Sequence, residues 1–595
     1  MHVEVVKEQS GEETDTDFSR INIYFTSRYN FIHDALFLCG SGGTVNLSPL
    51  QTSHRNFSMG IVLSCIRHLY KTILILFDTL SQLNNDFGPV LKRLNSDPGL
   101  PVRNPTSSYW LFDSPFPSLA ECKSHRLPKE ADVVIIGSGI TGAAVAKTVL
   151  QEWSRKGEDK KLVVLEAREI CSGATGRNGG HIKVSPYMAF DMLEKKFGTH
   201  RAAEILDFQM RHLDVLMDLC EKESIQVAEC RRVETVDVFL NSDVFKDKKQ
   251  KIRQVNKFMP KAEIKIWERA EAREVWLQNL TLFNPLTEIQ KFSFAPHVVG
   301  AISYRAGALF PYRFVTSVFR SLLDESSSAI SIETNTPVTS IGIHSSAANP
   351  YQVHTPRGII NARHIIHATN AYAGHLIPGL RGKVIGIRAH MSAQTAPQSF
   401  PQSDGKRSWS FVYGKADYDY MTQRHGKSGD LMLGGGFCRS MAKGLDHIAV
   451  YDDSVTEPLT SCHLRGMIPT VWGEYAEGGS VKNIWSGIIC YTADSLPYVG
   501  RLDYRLTGRK VSGSSQDGKD QPAEWISAGY HGEGMVYAWL CGVAVGRMVA
   551  GSEDEDLDEQ LGMPRGRVSD WLPKELLVTY KRVQNSDILD IAGEL

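Results

Sequence analysis

Cysteine is scarce in this sequence and has none of the spacings that metal or redox sites need. The chain has 595 residues and 10 cysteines. No two of them form a Cys-x-x-Cys pair, and no group of cysteines and histidines has zinc-site spacing. This excludes a disulfide-rich secreted scaffold and predicts no metal site. We expect reduced, mostly buried thiols.

An excess of either charge is lacking as well. Lys and Arg number 66 and Asp and Glu number 67, so the formal net charge is −1. A neutral chain has no global attraction for nucleic acid or anionic lipid. We therefore predict no nucleic-acid partner and expect function to lie in a discrete site. Apolar and charged residues, at 42% and 22%, are typical of a globular protein.

Long uninterrupted apolar runs are also missing. The most apolar stretch, 59–80, is interrupted by Arg67, His68, Lys71 and Asp78. Charges near a helix centre are costly in lipid, so we interpret the stretch as a buried or amphipathic helix and predict no membrane insertion. The first 20 residues are acidic and lack the apolar core of a signal peptide. The cytoplasm is therefore the default expectation.

Composition divides the chain unevenly. Residues 1–86 carry no motif and form an unassigned N-terminal extension, and 87–130 form a proline-rich, extended lead-in. Regular alternation of apolar segments, typical of one large globular region, runs over 131–551. Residues 552–595 begin with an acidic stretch and are predicted to be a C-terminal tail.

A strand, a glycine-rich turn and a helix follow one another from residue 132. The buried-strand run 132–136 leads into the turn, and a helix is predicted from about 140 to 153. In such a turn the first glycine permits the sharp bend, the second admits a pyrophosphate and the third lets helix and strand pack closely. The turn consists of Gly137, Ser138, Gly139, Ile140, Thr141 and Gly142.

A second strand strengthens this reading. The apolar run 162–165 ends in Glu166, 24 residues after Gly142, near the spacing of about 20 that is typical of dinucleotide-binding folds. Glu166 can accept hydrogen bonds from both ribose hydroxyls and would repel a 2′-phosphate, which disfavours NADP. The residues up to Glu166 are compatible with either FAD or NAD as the cofactor.

The residues after Glu166 favour the longer cofactor. An NAD-binding domain would continue with another strand and helix, whereas here small and glycine residues expose backbone and a few polar side chains. The run includes Ala167, Arg168, Ser172, Thr175, Arg177, Asn178, Gly179, Gly180 and His181.

With these motifs, residues 91–551 resemble the D-amino-acid-oxidase-like superfamily of FAD-dependent oxidoreductases, in its gamma-glutamylputrescine oxidase and sarcosine-oxidase-like branch. The resemblance rests on the glycine turn with Glu166, on 172–181, on 308–312 with 336–338 and 368–370, and on 485–500 with 529–535. It implies an α/β (α+β) fold in which a Rossmann-type FAD-binding domain is interleaved with a mixed β-sheet substrate domain. The FAD-binding segments would be about 131–230, 297–385 and 481–551, and the substrate segments about 231–296 and 386–480.

The resemblance also implies further FAD contacts. Beyond the turn, Glu166 and the run to His181, the residues expected at the cofactor are Pro337, Val338, Ala368, Thr369, Asn370, Asp494, Gly529, Tyr530, His531, Gly532, Gly534 and Met535.

The motif near the C-terminus can also be interpreted from its residues alone, without the resemblance. The run 529–534 is a glycine-rich loop, and 535–550 has helical composition with small residues every fourth position. Such a helix packs tightly, and its positive N-terminus can stabilise the negative charge of a reduced flavin. We find no second glycine-turn unit, so a separate nicotinamide domain is not expected. Electrons would come from the substrate and leave to oxygen or another acceptor.

The substrate side is less well specified. Tyr418, Tyr420, Trp409, Arg388 and His390 are candidates to line the site, although aromatic residues are also common core residues. As catalytic candidates we name His531, Tyr530 and Arg388. Hydride transfer from an amine needs placement and an uncharged nitrogen rather than a nucleophile.

Attachment of the flavin is expected to be non-covalent. Some sarcosine-oxidase relatives attach it through a cysteine two residues before a Tyr-Thr pair, where this chain has Ile489. Cys490 is one position later, and in a strand a shift of one residue points to the other face. His181 is the alternative attachment point.

The sequence therefore predicts an FAD-dependent oxidoreductase that oxidises a C–N bond of a small amine or amino-acid-like substrate by hydride transfer to flavin N5. The alternatives are a flavoenzyme of the same fold that acts on another bond in a biosynthetic pathway, a non-catalytic flavin-binding scaffold, and an NAD dehydrogenase.

Overall fold

The computed structural model describes most of the chain from residue 54 onward and two short strands before it. The described residues are 3–5, 23–25, 54–268, 292–344, 348–398, 400–401, 403–415, 417–426, 428–473, 478–511 and 521–591. Backbone proximity divides the chain into two units, Met1–Ser81 and Gln82–Leu595.

The strands are β1 (Val3–Val5), β2 (Ile23–Phe25), β3 (Glu130–Ile136), β4 (Leu162–Leu165), β5 (His181–Ile182), β6 (Arg231–Phe239), β7 (Lys265–Glu268), β8 (Gly300–Ala308), β9 (Ile330–Glu333), β10 (Ser340–Ile343), β11 (Tyr351–Thr355), β12 (Gly358–His367), β13 (Val384–Thr395), β14 (Arg407–Val412), β15 (Tyr418–Gln423), β16 (Leu431–Gly434), β17 (Ser480–Thr492), β18 (Tyr498–Arg501) and β19 (Ala523–Ala528). The α-helices are α1 (His54–Leu94), α2 (Pro117–Ala120), α3 (Ile140–Lys156), α4 (Pro186–Phe197), α5 (Thr199–Lys222), α6 (Ser242–Phe258), α7 (Pro311–Ser326), α8 (Ala373–Leu376), α9 (Pro458–Trp472), α10 (Tyr504–Thr507), α11 (Ala538–Val549), α12 (Val568–Trp571) and α13 (Tyr580–Asn585).

In the first unit, β1 and β2 form an antiparallel pair, and α1 runs across the boundary into the second unit. The helix α1 is not buried or amphipathic over 59–80 in the way that the sequence predicts. Ile73, Leu76 and Phe77 are exposed, Phe77 by 73%. Apolar residues follow one another directly here, so no single helix face can bury them all. Among the described residues, no helix is both long and apolar enough to cross a membrane.

The first sheet of the second unit has a parallel centre. Its spatial order is β10, β11, β12, β3, β4, β9, with β19 beside β12 and β18 beside β19. The strands β12, β3, β4 and β9 run parallel to one another. Parallel strands buried on both faces are continuously apolar, as Val133, Val134 and Ile135 are, each with at most 1% exposure.

The second sheet is mixed and has the order β17, β13, β16, β15, β14, β6, β8, β5, with β7 on β8. The pair β14 and β6 is parallel, whereas the other pairs are antiparallel. Together the two sheets confirm the predicted fold class, a Rossmann-type domain interleaved with a mixed β-sheet domain. The second sheet also takes β5, β8 and β17, which lie in segments expected to bind FAD. Nothing in the local sequence of β5, β8 and β17 marks them as members of the second sheet.

The residues after 551 pack against this unit. Met563, Val568, Leu576 and Val583 are buried, and the backbone N–H of Val578 donates to the carbonyl of Val499 on β18. Residues 552–591, predicted to be a tail, are thus a covering segment that packs on the second unit. The apolar side chains that hold it are spaced too irregularly in the sequence to predict a helix or strand.

Candidate functional site

The turn between β3 and α3 can be made only with glycine. A Cβ on Gly142 would lie 2.1 Å from the carbonyl oxygen of Gly137, and one on Gly137, whose φ is +112°, would lie 2.6 Å from the carbonyl oxygen of Ala368. The helix therefore begins directly against the end of its strand. This geometry presents the N-terminus of α3, with its partial positive charge, to whatever occupies the cleft in front of it.

The side chain of Thr175, in the following loop, fixes the turn. The backbone N–H of Ile140 donates to Thr175 Oγ1 at 3.1 Å. A Cβ on Gly139 would meet the same oxygen at 2.9 Å, so the loop presses closely on the turn. The cleft wall is in this way made largely of backbone, which can approach a phosphate closely.

Glu166 lies at the carboxyl end of β4, where a ribose would be held. Its Oε2 accepts hydrogen bonds from Ser138 N at 3.0 Å and Ser138 Oγ at 2.7 Å. Its Oε1 accepts from the N–H of Arg168 at 3.1 Å. The carboxylate is therefore oriented by backbone on both sides, which leaves its remaining lone pairs directed toward the cleft.

The cleft brings together most of the residues predicted to bind FAD. Those on its wall are Gly137, Ser138, Gly139, Ile140, Thr141, Glu166, Ala167, Arg168, Thr175, Asn178, Val338, Ala368, Thr369, Asn370, Tyr530, Gly532, Gly534 and Met535. The remaining predicted residues do not line it: Gly142, Ser172, Arg177, Gly179, Gly180, His181, Pro337, Asp494, Gly529 and His531.

Several of those remaining residues support the cleft from behind. The Gly180 backbone has φ +65°, and a Cβ there would lie 2.2 Å from the Leu309 carbonyl oxygen. His181 Nε2 lies 2.8 Å from Ser408 Oγ, and burial lowers the pKa of His181 well below its ordinary value, so its ring is neutral. The Gly529 N–H donates to Asn370 Oδ1 at 3.1 Å, which joins the C-terminal loop to the cleft.

Arg177 is directed away from the cleft. Its Nε donates to the carbonyl of Ser486 at 2.7 Å and lies 3.4 Å from Asp453 Oδ2. The same carboxylate accepts from Nη1 of Arg168 at 3.0 and 3.1 Å. Asp453 is 1% exposed, so this buried cluster of two guanidinium groups and one carboxylate joins the FAD-side loop to the second sheet. Asp494 is likewise held by Arg582, at 2.7 and 3.1 Å.

The loop between β19 and α11 crosses the cleft. The Tyr530 hydroxyl lies 2.7 Å from Thr141 Oγ1 and donates to the carbonyl of Ser527 at 2.8 Å. It therefore ties the loop to the start of α3. His531 has φ +49°, and its ring meets that of Tyr491 edge to face, with centroids 4.5 Å apart. Ala538, the first residue of α11, lines the cleft, which brings the positive end of that helix to it.

The other substrate-side candidates separate into two groups. Trp409 is 2% exposed and packs edge to face with Trp472 in the core. Buried His390 accepts a hydrogen bond from the N–H of Glu457, and Arg388 Nε lies 3.4 Å from His447 Nδ1. These three side chains have contacts that explain their positions without a ligand.

Tyr418 and Tyr420 differ from that group. Tyr420 is half-buried, with its hydroxyl 3.1 Å from Met391 Sδ and its ring against Gly179. Tyr418 is 48% exposed. They lie on one face of β15, because side chains two apart in a strand share a face.

Sequence reasoning missed several residues of the cleft. Gly99, Leu100 and Pro101 of the lead-in line it, as do Tyr372 and His375 after β12. Nothing local distinguishes them from ordinary loop residues. Glu533, between two glycines that line the cleft, was also missed, and a carboxylate inside a glycine loop is the signal that could have drawn attention to it.

The residues present fit FAD. The glycine cradle, the helix N-terminus and the oriented Glu166 match the needs of a pyrophosphate and a ribose. Thr369 on the cleft wall has a buried hydroxyl with no hydrogen-bond partner among the described residues, as expected where a ligand supplies one. Cys490 lines the cleft, and burial raises the pKa of its thiol. The thiol is therefore neutral, which is consistent with a non-covalent flavin.

Comparison with known proteins agrees with this geometry. A family model described as FAD dependent oxidoreductase (DAO) matches residues 132–548. The chain is 22% identical over 478 residues to a probable oxidoreductase OrdL of Haemophilus influenzae, covering 79% of this chain and 94% of that protein. It is 22% identical to the gamma-glutamylputrescine oxidoreductase of Escherichia coli, covering 76% and 90%.

Among solved structures, glycine oxidase from Geobacillus kaustophilus superimposes with a TM-score of 0.50 at 16% identity, covering 72% of this chain and 96% of that one. At that identity the likeness concerns the fold. The family match spans the glycine turn, Glu166, both sheets and the loop into α11. The chain belongs to the DAO family of FAD-dependent oxidoreductases, and its cofactor is FAD.

Proposed function

We propose that this enzyme oxidises a C–N bond of a small amine or amino-acid-like compound, with hydride transfer to flavin N5 and reoxidation by oxygen or another acceptor. The observation that carries the proposal is the position of the 529–535 loop. Tyr530, Gly532, Gly534 and Met535 line the FAD cleft, and His531 packs against Tyr491 of the second sheet. The names of two similar proteins, gamma-glutamylputrescine oxidoreductase and glycine oxidase, support the same substrate class.

In this proposal, residues of this chain bind FAD and orient the loop beside it. Glu166, the 137–142 turn and the 368–370 segment hold the nucleotide half of FAD. The bound flavin supplies the two-electron acceptor. Tyr530 fixes the loop through Thr141 and Ser527, and the N-terminus of α11, which reaches the cleft at Ala538, would stabilise negative charge on a bound flavin.

The second sheet supplies the substrate side. Tyr418 and Tyr420 of β15 present one face toward the loop. In the neighbouring strands, Lys183 beside β5 is paired with Asp237 of β6. Of the three catalytic candidates, His531 packs against Tyr491 of β17 in the second sheet. Tyr530 acts in this proposal as a positioning residue, because its hydroxyl is engaged with Thr141 and Ser527. Arg388 contacts His447, so the proposal gives it no direct role.

The test is an anaerobic one. The purified full-length chain with FAD is mixed with a panel of primary and secondary amines and amino acids, and absorbance near the flavin maximum is followed. Bleaching by an amine or amino acid, reversed by oxygen, is the expected result. A holoenzyme that is bleached by a hydroxy acid or an alcohol and by no amine would overturn the proposal.

A further inference from the structure

Glu533 is a carboxylate held at the junction of the FAD cleft and the second sheet. Its neighbours Gly532 and Gly534 both line the cleft. Its Oε2 accepts a hydrogen bond from Gln209 Nε2 at 2.5 Å. Gln209, on α5, is 1% exposed, so the amide is a fixed support that orients the carboxylate.

Tyr418 of β15 is the residue of the second sheet that Glu533 influences. Tyr418 is 48% exposed; burial raises its pKa to about 12, and the negative charge of Glu533 raises it further. Glu533 is half-buried, and burial raises its pKa as well. The carboxylate therefore lies between the glycines that line the cleft and a strand of the second sheet.

Glu533 forms no ion pair with a lysine or arginine in the part of the chain that the structure describes. Gln209 Oε1 is a second acceptor there without a hydrogen-bond partner. A half-buried carboxylate beside an unpartnered, buried amide oxygen is suited to a cationic donor.

We propose that Glu533 is the catalytic residue that receives the substrate's ammonium group and takes its proton. This inference rests on the proposed function. It specifies the substrate as a compound whose reacting nitrogen arrives as an ammonium ion.

The substrate R–CH₂–NH₃⁺ first transfers one proton to the Glu533 carboxylate, which leaves R–CH₂–NH₂ and a neutral Glu533. The nitrogen lone pair then forms the C=N bond as the C–H bond breaks and its hydrogen leaves with two electrons to the flavin. The product is R–CH=NH₂⁺, and the proton on Glu533 later returns to water.

The pH dependence follows from the same charges. The groups that face Glu533 are His531 and Tyr537 on its own loop, Gln209 on α5 and Tyr418 on β15. Ionised Glu533 is the active form, so the rate falls as pH drops through its pKa, which burial places above the ordinary glutamate value.

The test compares Glu533→Gln with the wild-type holoenzyme and with Glu121→Gln, an exposed carboxylate. Glu533→Gln should keep its flavin spectrum, lose at least a hundredfold in the anaerobic bleaching rate at pH 7 with the best amine of the panel, and lose the acid limb of the pH profile. Glu533→Asp should keep that limb at a reduced rate, and it replaces the Gln variant if that variant does not fold. An unchanged rate and limb in Glu533→Gln would overturn the inference.

A binding experiment separates this inference from the proposed function. Butylamine and 1-butanol are titrated into the oxidised holoenzyme, and the shift of the flavin absorption band gives each affinity. Wild type should prefer butylamine at least tenfold, and Glu533→Gln should lose that preference. If wild type prefers butylamine but no amine bleaches the flavin, only the proposed function is wrong. If wild type binds butylamine and 1-butanol with equal affinity, the inference is wrong.

Discussion

Single residues set the cofactor cleft, and Gly142 is the position where the least change is tolerated. Replacing it with alanine places a Cβ 2.1 Å from the Gly137 carbonyl oxygen, so the strand and helix must separate. We expect Gly142→Ala to weaken FAD affinity by at least tenfold and to lower the free energy of unfolding by about 2–4 kcal/mol. Titration of FAD into the apoprotein and denaturant unfolding measure both.

The matched control is Gly466→Ala, also inside a helix, where nothing lies within 4 Å of a new Cβ. Alanine is the better helix former by about 1 kcal/mol, so this variant should be neutral or stabilised, with unchanged FAD affinity. Equal losses in both variants would mean that the close contact at Gly142 has no special role.

Cys490 provides a second prediction at this scale. Burial holds the thiol in its neutral form, which is a poor nucleophile. We expect acid precipitation of the holoenzyme to release all of the yellow colour into the supernatant, for wild type and for Cys490→Ser alike. Colour that stays in the wild-type pellet and leaves it in Cys490→Ser would show a covalent bond at this residue.

At the scale of elements, the packing of α11 on α3 holds the two cleft-forming helices together. A Cβ on Gly546 would lie 2.6 Å from Thr148 Cβ. We expect Gly546→Ala to cost about 1–3 kcal/mol of unfolding free energy. In a Thr148→Ala background the obstructing side chain is gone, and the same change should cost clearly less. Denaturant unfolding of the four proteins in this cycle measures the coupling; equal costs in both backgrounds would contradict direct contact.

The junction of β12 and β19 predicts a pH effect. Burial would raise the pKa of Glu524, but hydrogen bonds from Arg509 and His367 lower it below its ordinary value. The His367 ring is neutral, because burial lowers its pKa, and it donates Nε2–H to Glu524 at 2.8 Å. A carboxyl whose pKa is depressed by folding stabilises the protein above the unfolded-state pKa, and that contribution is lost as pH falls through the folded-state pKa.

We expect Glu524→Gln to lower the unfolding free energy at pH 7 by about 3 kcal/mol, because it leaves the Arg509 charge buried and unpaired. The difference from wild type should shrink as pH falls below about 4.5. Denaturant unfolding at pH 7 and at pH 4 measures it; a difference that grows toward pH 4 would contradict the assignment.

At the scale of the whole molecule, the segment after residue 551 closes the second unit through Arg582. This guanidinium binds Asp494 and also donates to the carbonyls of Leu496 and Pro497 at 3.0 and 2.9 Å. Arg582→Ala should lower the unfolding free energy by about 2–4 kcal/mol and loosen the 494–497 turn. Thermal unfolding measures this loss.

Arg505→Ala is the control for that variant. Arg505 also binds an aspartate, Asp503, and stacks on Tyr580, but it lies at the surface, where ion pairs contribute little. Its unfolding temperature should stay close to that of wild type. If the two variants are equally stable, the covering segment does not depend on Arg582.

The main elements of the FAD cleft could be predicted from local sequence patterns. The glycine turn, Glu166 and the 529–535 loop are local patterns, and each follows from what a phosphate, a ribose or a helix end demands of its neighbours in the chain. The parallel centre of the first sheet was predictable for the same reason, because continuous apolar runs such as 132–136 suit a strand buried on both faces.

The partners of these FAD-side elements depend on tertiary contacts that the sequence does not reveal. Arg177 and Asp494 are polar residues in the right motifs, yet partners far away in sequence, Asp453 and Arg582, take their charges. The lead-in at Leu100 reaches the cleft, and Glu533 meets Gln209 from a helix more than 300 residues earlier. Such pairings depend on how the two sheets are interleaved, and interleaving brings together residues whose local sequences carry no sign of one another.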